Sequence, residues 1–465
     1  MITPEHAEST IAAIATPPGP GGIGIVRISG PDSLNILKQL FHPRYPQKEY
    51  TSHKMYYGWI QDPATKNTID EVLAVYMRAP HTYTRDDVVE IHCHGSYLVL
   101  QAILARVLSA GARPADPGEF TKQAFLNGRI DLTQAEAVLE LLQAKTGEGL
   151  DIAAARLKGQ LYDRVSSIRD ALLSARSIIE VAIDFPDEDA EILNPLNLKQ
   201  DINQNVLAGL EALIVSADCG KIFLNGISVV ILGRPNVGKS SLLNALLQED
   251  RAIVTAAPGT TRDTIEEYLN IKGMTVRIID TAGIREDAEA VEEKGILRAR
   301  QKLEEADLVL LLVDASVGPT DEDHRLYESM KERPLLLVVN KIDIAFDLDL
   351  NIYKDFFPGA ALAPVSAKTR DGFGDLEAAI FNSVTSGSLT WDPGHTCVPN
   401  VRHTASLKKA YDSSKKVLDG LEIDLPPDLL AIELQAALDY LGDIIGQTTT
   451  EDMLDKIFSE FCIGK

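Results

Sequence analysis

Apolar positions along this chain fall into stretches of different rhythm. Residues 1–120 mix short β-branched runs (Gly24–Ser29, Val72–Met77, Val88–His92) with turn clusters such as Pro17–Gly22. Leu98–Ser109 carries the spacing of a helix, and the mixture predicts an α+β module. From 121 to 224 the period becomes helical. Leu132, Ala135, Val138, Leu139 and Leu142 share one face, and amphipathic stretches continue through Leu172–Ile183 and Val206–Val215. Asp187, Glu188 and Asp189 read as a solvated acidic bend in that stretch. Residues 225–385 then alternate strand and helix patterns. Ile227–Leu232, Thr275–Ile279, Leu308–Val313, Leu335–Val339 and Leu362–Val365 predict a mostly parallel α/β sheet. Helical spacing returns over 386–465. The simplest reading is an α/β domain inserted between two parts, 121–224 and 386–465, of one helical domain.

The length of 465 residues agrees, since about 150 residues per domain gives roughly three domains. The formal charge of -23 argues against a broad electrostatic grip on nucleic acid, which comes from Lys and Arg neutralising phosphates. Cys93, Cys219, Cys397 and Cys462 are scattered and read as reduced thiols, not a disulfide framework. The N-terminus has no charged segment followed by an apolar one, and no apolar run reaches about 18 residues. The chain is expected to be soluble and cytoplasmic, with no membrane partner.

The chemistry is concentrated in the inserted domain. Gly233–Ser240 reads G-x-x-x-x-G-K-S between a predicted strand and a predicted helix, the context in which this spacing forms a phosphate-binding P-loop. Backbone N–H groups of the loop and the positive end of the helix are expected to cradle phosphates. Lys239 is expected to neutralise β and γ oxygens, and Ser240 to ligate Mg2+. Asp280-Thr281-Ala282-Gly283 follows a second strand. There an acid can hold Mg2+ through water while the Gly283 N–H approaches the γ-phosphate. Asn340, Lys341 and Asp343 close a further strand. A carboxylate at Asp343 pairs with the N1–H and N2–H2 donors of guanine, which adenine lacks. Ser366-Ala367-Lys368 follows, with the Ala367 N–H expected on guanine O6. Four elements in this order specify a guanine-nucleotide hydrolase. No tandem repeat and no second P-loop are present, which excludes a twin-G-domain architecture.

Thr255-Ala256-Ala257-Pro258-Gly259-Thr260-Thr261 occupies the place of a switch loop whose Thr reaches Mg2+. From chemistry alone, Thr260 and Thr261 are equal candidates. After Gly283, where many small GTPases carry a water-orienting Gln, stands Ile284, which has no hydrogen-bonding side chain. Another group must do that work, or hydrolysis is very slow. Glu286, Asp287, Glu289, Glu292 and Glu293 follow as candidates.

These residues resemble the TrmE–Era–Era-like GTPases, which carry a hydrophobic residue at that position. The resemblance extends over essentially all 465 residues to the MnmE (TrmE) family of tRNA-modification GTPases. It is carried by Ala15–Gly19, Gly22–Gly30, Gly118–Thr121, Ala124–Gly128 and the terminal Phe461-Cys462-Ile463-Gly464-Lys465. It implies an α/β P-loop GTPase domain (225–385) inserted in a discontinuous α-helical domain, preceded by an α+β folate-binding and dimerisation domain (1–120). It also implies a homodimer that works with MnmG, a flavin protein, in a heterotetramer. Together they build an aminomethyl-type group on C5 of the wobble uridine of certain tRNAs, recruited largely through the partner. Carried over by position, Asn236 supplies a side-chain ligand for K+, with Thr255, Ala257 and Thr260 giving the other oxygens. Thr261 becomes the switch ligand of Mg2+ beside Ser240, and Glu292 the residue that orients the attacking water. The nucleotide set then comprises Asn236, Val237, Gly238, Lys239, Ser240 and Ser241, Thr255 to Thr261, Asp280 to Gly283, Asn340, Lys341, Asp343 and Ser366 to Lys368. A 5-formyl- or 5,10-methylene-tetrahydrofolate falls to Arg27, Glu90, Arg129 and Lys465.

Other constellations are set aside. Gly19–Gly24 contains G-x-G-x-x-G but precedes a strand instead of following one. His92-Cys93-His94 would point alternately to opposite sheet faces, with no second ligand pair. Cys462 has no identifiable base to make it a nucleophile. A ribosome-assembly GTPase would want a basic RNA module, such as a KH domain with a G-x-x-G loop. From Trp391 onward there are 7 Lys/Arg against 13 Asp/Glu and no G-x-x-G. A pure switch needing an external activator would hydrolyse GTP equally slowly in K+ and Na+.

Overall fold

The computed structural model describes residues 9–17, 19–185, 195–249, 267–279, 306–346, 348–385 and 397–465. Thr255–Thr261, Asp280–Gly283, Glu292 and the acidic triplet at 187–189 lie outside the described residues. The chain forms two compact units: Met1–Leu139 with Leu157–Asp170 and Gln435–Lys465, and Glu140–Arg156 with Ala171–Leu434.

The first unit holds a seven-stranded sheet. Its strands are β1 (Ile11–Ile14), β2 (Gly21–Ser29), β3 (Phe41–Pro43), β4 (Lys54–Gln61), β5 (Thr68–Met77), β6 (Val88–Gly95) and β7 (Arg113–Pro114). The order is β3-β4-β5-β6-β2-β1-β7, antiparallel throughout except for the β1–β7 pair. Alternation sorts the faces. Val26 and Ile28 of β2 and Val89, Ile91 and Cys93 of β6 enter a core with the helices Ser33–Leu40 and Tyr97–Ser109. Ile36, Leu37, Leu40, Leu100, Ile103 and Val107 supply the helical side of that core, each buried and each contributing roughly 1.5–3 kcal/mol. Arg27, Glu90 and His92 are thereby left on the other face. The C-terminal helix Glu451–Ser459 packs Leu454 and Phe458, with Phe461, against Leu132 and Ala135 of the helix Leu132–Gln143.

The second unit holds a six-stranded sheet of β8 (Ile227–Gly233), β9 (Glu267–Ile271), β10 (Met274–Ile279), β11 (Leu308–Asp314), β12 (Leu335–Asn340) and β13 (Ala361–Val365). The order is β13-β12-β11-β8-β10-β9, parallel except for the β9–β10 hairpin. Successive residues of β11 go to opposite cores. Leu308, Leu310 and Leu312 join Leu242, Phe373 and Leu376 on one side. Leu311 and Val313 join Tyr327, Tyr353 and Phe357 on the other. A strand covered on both faces must be apolar at every position, which is why these runs stand out in the sequence. The helical part packs Phe223 and Val398 onto the first of these cores, and buried Arg156 pairs with Glu140 and donates to the Val398 carbonyl at 2.5 Å.

Candidate functional site

The carboxyl ends of β8, β11, β12 and β13 meet at one edge of the second sheet. Gly233 is level with Leu312, Asp314 with Asn340, and Asn340 with Val365. Ligands of open parallel sheets sit beyond such ends. After β8 the chain turns through Asn236 at φ 65° and Gly238 at φ 99° into the helix Lys239–Glu249. Gly238 has no room for a side chain, since a Cβ there would lie 2.3 Å from Asn340 Nδ2.

Asn340 joins the motifs. It is buried; its Nδ2 donates to the Val237 carbonyl at 2.8 Å, and its Oδ1 accepts the Ala367 N–H at 3.0 Å. The sequence reading aimed that N–H at guanine O6; here Asn340 accepts it. Lys341 Nζ donates to the Asn236 carbonyl at 2.8 Å and to Asp314 at 2.6 Å, and Ser366 Oγ donates to Asp343 at 2.7 Å. Lys239 Nζ donates to the Gly233 and Arg234 carbonyls, both at 2.8 Å. Ser240, Ser241, Asp343 and Lys368 are exposed at this edge, while Val237 packs inward. The N-terminal turn of the helix therefore offers Ser240 and backbone N–H groups to an anion with its cation. Asn236 is exposed in the loop beside them.

Two supports were not anticipated. Burial acts to raise the Asp314 carboxyl, but Lys341 and the Ser316 donors outweigh it and hold it below the usual carboxylate range. Arg234 Nε donates to Asp323 Oδ1 at 2.8 Å, which pushes the guanidinium further up. Asp323 is fully buried and also completes a capping box with Thr320 at the start of the helix Asp321–Glu328. The spacing Thr320-x-x-Asp323 was the available signal.

A second cluster lies on the open face of the first unit's sheet. Arg27 and Glu90 are level across the β2–β6 ladder, and Arg27 Nε donates to Glu90 Oε1 at 2.9 Å. The other Glu90 oxygen meets His92 Nε2 at 3.2 Å. Arg27 Nη1 reaches the Gly464 carbonyl at 3.2 Å. Its guanidinium lies 5.9 Å from the Tyr83 ring centre and 5.7 Å from that of Phe120, and Arg129 lies 4.7 Å from the same Tyr83 centre. The C-terminal tail passes so close to β1 that a Cβ on Gly464, at φ 95°, would be 2.4 Å from the Ile14 carbonyl. The Lys465 N–H closes the tail onto the Cys462 carbonyl at 3.3 Å. Arg27, Glu90 and Arg129 thus gather round Tyr83, with the residue before Lys465 docked on Arg27. Cations on aromatic faces beside a carboxylate suit a planar, polar heterocycle carrying acidic groups. His92, Tyr83, Phe120 and Gly464 belong to this cluster and were missed; they arrive from a strand, a loop, a helix and the C-terminal tail, which no local pattern joins.

Of the constellations set aside, His94 Nδ1 lies 2.7 Å from Asp70. Cys93 points into the core, where burial, with the Asp70 charge, pushes its thiol up to about 11. Among the described residues no group of three or more His, Cys, Asp or Glu could hold a metal, and no helix is long and apolar enough to cross a membrane.

Comparison with known proteins decides the family. The profile described as "MnmE helical domain" matches residues 132–462, and "GTP-binding protein TrmE N-terminus" matches 10–129. The chain belongs to the MnmE family. It is similar to the "tRNA modification GTPase MnmE" of Desulfotalea psychrophila, 50% identical with 98% of each chain covered. The proteins of that name from Syntrophus aciditrophicus and Natranaerobius thermophilus are 46% and 44% identical, covering 98% of this chain and 100% of theirs. The expected fold class, a P-loop GTPase domain within a discontinuous helical domain behind an α+β module, is that of this family.

Proposed function

We propose that this GTPase hydrolyses GTP in a potassium-activated reaction and, with the flavin protein MnmG, forms the aminomethyl-type C5 group of wobble uridine in certain tRNAs, using a folate one-carbon unit. The observation that carries the reading is the junction at Asn340, which ties the P-loop to Ser366–Ala367 in a chain alike over its whole length to tRNA modification GTPases. Asp343 selects guanine by accepting from its N1–H and N2–H2 groups, a role helped by Ser366, which holds the carboxylate in place. The loop amides and Lys239 take the phosphates; Ser240, with Thr261, holds Mg2+. Asn236, whose exposed side chain and left-handed backbone suit a ligand at the loop's outer edge, holds K+ with Thr255, Ala257 and Thr260. Potassium there supplies positive charge to the transferring phosphoryl group, as an arginine finger does elsewhere. Glu292 orients the attacking water.

In the first unit, Arg27, Glu90, Arg129 and Lys465 bind the tetrahydrofolate. Glu90 pairs with pterin N–H donors and the cations with its acidic tail. The division into 1–120, 121–224 with 386–465, and 225–385, homodimer formation, assembly with MnmG and a cytoplasmic location are parts of the same reading. It is tested by reconstitution with MnmG, tRNA, GTP and the folate, followed by mass spectrometry of the wobble nucleoside. The expected product is the C5-modified uridine, lost when this chain is omitted. Unmodified uridine from the complete mixture would overturn the proposal.

A further inference from the structure

We propose that a cavity of about 700 Å³ beside Arg129 is a subsite for the γ-linked glutamate chain of a polyglutamylated folate, an inference that rests on the folate reading of the Arg27 cluster. The cavity lies within the first unit. Its walls come from residues 125–134, from 158–163 at the start of the helix Gln160–Asp184, and from the segment 445–454. Its volume is that of a small-molecule site. It contains no residue of the Arg27 pair, so it is an additional space, not the same one.

Arg129 links the two spaces. It lines the cavity, and its guanidinium rests on the Tyr83 ring that Arg27 approaches from the first cluster. A ligand whose acidic end reaches Arg129 is therefore already at the cavity's edge. Two cations beyond can pair with an anion. Arg129 and Lys158 both face the cavity and neither has a carboxylate partner among the described residues. One oxygen of Asp131 serves local structure: its Oδ1 accepts from Thr133 N at 2.8 Å, Thr133 Oγ1 at 2.6 Å and Gln134 N at 3.1 Å. Asp163 is exposed, and the wall as a whole carries two cations and two carboxylates.

The rest of the wall is mixed. Phe125 and Ile130 supply apolar surface, while Tyr162 and Gln447 offer hydrogen-bonding groups. A γ-glutamyl chain presents the matching series: methylenes, an amide and a free carboxylate in each unit. The α- and γ-carboxylates of a monoglutamate end at Arg129; each further γ-linked unit adds one carboxylate and reaches toward Lys158.

The test is calorimetric titration of the full chain with 5-formyl-tetrahydrofolate as the monoglutamate and as the pentaglutamate. The pentaglutamate should bind about 3- to 10-fold tighter, as expected for one or two partly exposed charge pairs, and the advantage should shrink with added salt. Lys158→Gln should bring the ratio of the two affinities close to one, and Lys158→Glu should reverse it. Lys158 is exposed, so neither change threatens folding. Equal affinity for both ligands in the unaltered protein would overturn the subsite and leave the folate reading standing. A chain-length advantage that survives both Lys158 variants would equally overturn it. Failure of both ligands to bind would overturn the folate reading and the subsite together.

Discussion

Replacing Gly238 by Ala tests the geometry of the nucleotide site at its tightest point. Gly238 sits at φ 99°, outside the left-handed region that an L-residue tolerates, and strain of this kind costs of order 1–3 kcal/mol. The new Cβ would also stand 2.3 Å from Asn340 Nδ2, so the buried amide must leave its place. It would then lose its bonds to Val237 and Ala367, each worth about 0.5–1.5 kcal/mol. Together these come to about 2–6 kcal/mol against the arrangement that joins the three motifs. If nucleotide binds only to that arrangement, affinity should fall at least about 30-fold. Titration with a fluorescent GDP analogue measures this. Gly374→Ala is the control: its Cβ meets nothing within 4 Å, and in a helix the change is neutral or stabilising by roughly 0.5–1 kcal/mol. A Gly238→Ala protein that binds GDP within about threefold of the unaltered chain would refute the reasoning.

Asp343→Asn should weaken GTP binding by about 100-fold or more and admit xanthosine triphosphate, whose ring offers the complementary pattern; unchanged guanine selectivity in a competition assay would remove Asp343 from that role. Deleting the last four residues takes away the carbonyl that Arg27 binds, and should abolish folate binding while GDP affinity stays unchanged; retained folate affinity would contradict the placement of Lys465. In maleimide labelling of the native protein at neutral pH, exposed Cys462 should react. Cys93 should not react until unfolding, because it is buried and its thiol, pushed up to about 11, stays protonated. Rapid modification of Cys93 in the folded chain would contradict the core described for the first unit.

The elements that could be read from sequence are those whose burial leaves an unbroken trace. Leu308–Val313 and Leu335–Val339 are apolar at nearly every position because both faces of that sheet are covered. β4 escaped notice because Met55, Tyr56, Tyr57, Trp59 and Ile60 blur the alternation, with apolar residues on the covered face and the open one alike. β9 is, among the described residues, an edge strand paired to β10 and has no need of a continuous apolar run. The phosphate loop was legible because its spacing is local. Arg27 and Glu90 are 63 residues apart and meet only through the β2–β6 register, so they were reached by resemblance and not by pattern. Arg234 and Asp323 illustrate the same limit: the capping signature was visible, but its second use, as an anchor for the P-loop, depends on how β8 and β11 pair.

In the proposed reaction a monovalent cation ligated by Asn236 compensates for Ile284, where many small GTPases carry glutamine. GTP turnover is measured against potassium concentration, at ionic strength held constant with sodium. Turnover should rise to saturation at least about tenfold above the sodium rate, and Asn236→Ala should flatten the curve. Equal, slow hydrolysis in both salts by the unaltered protein would contradict the account.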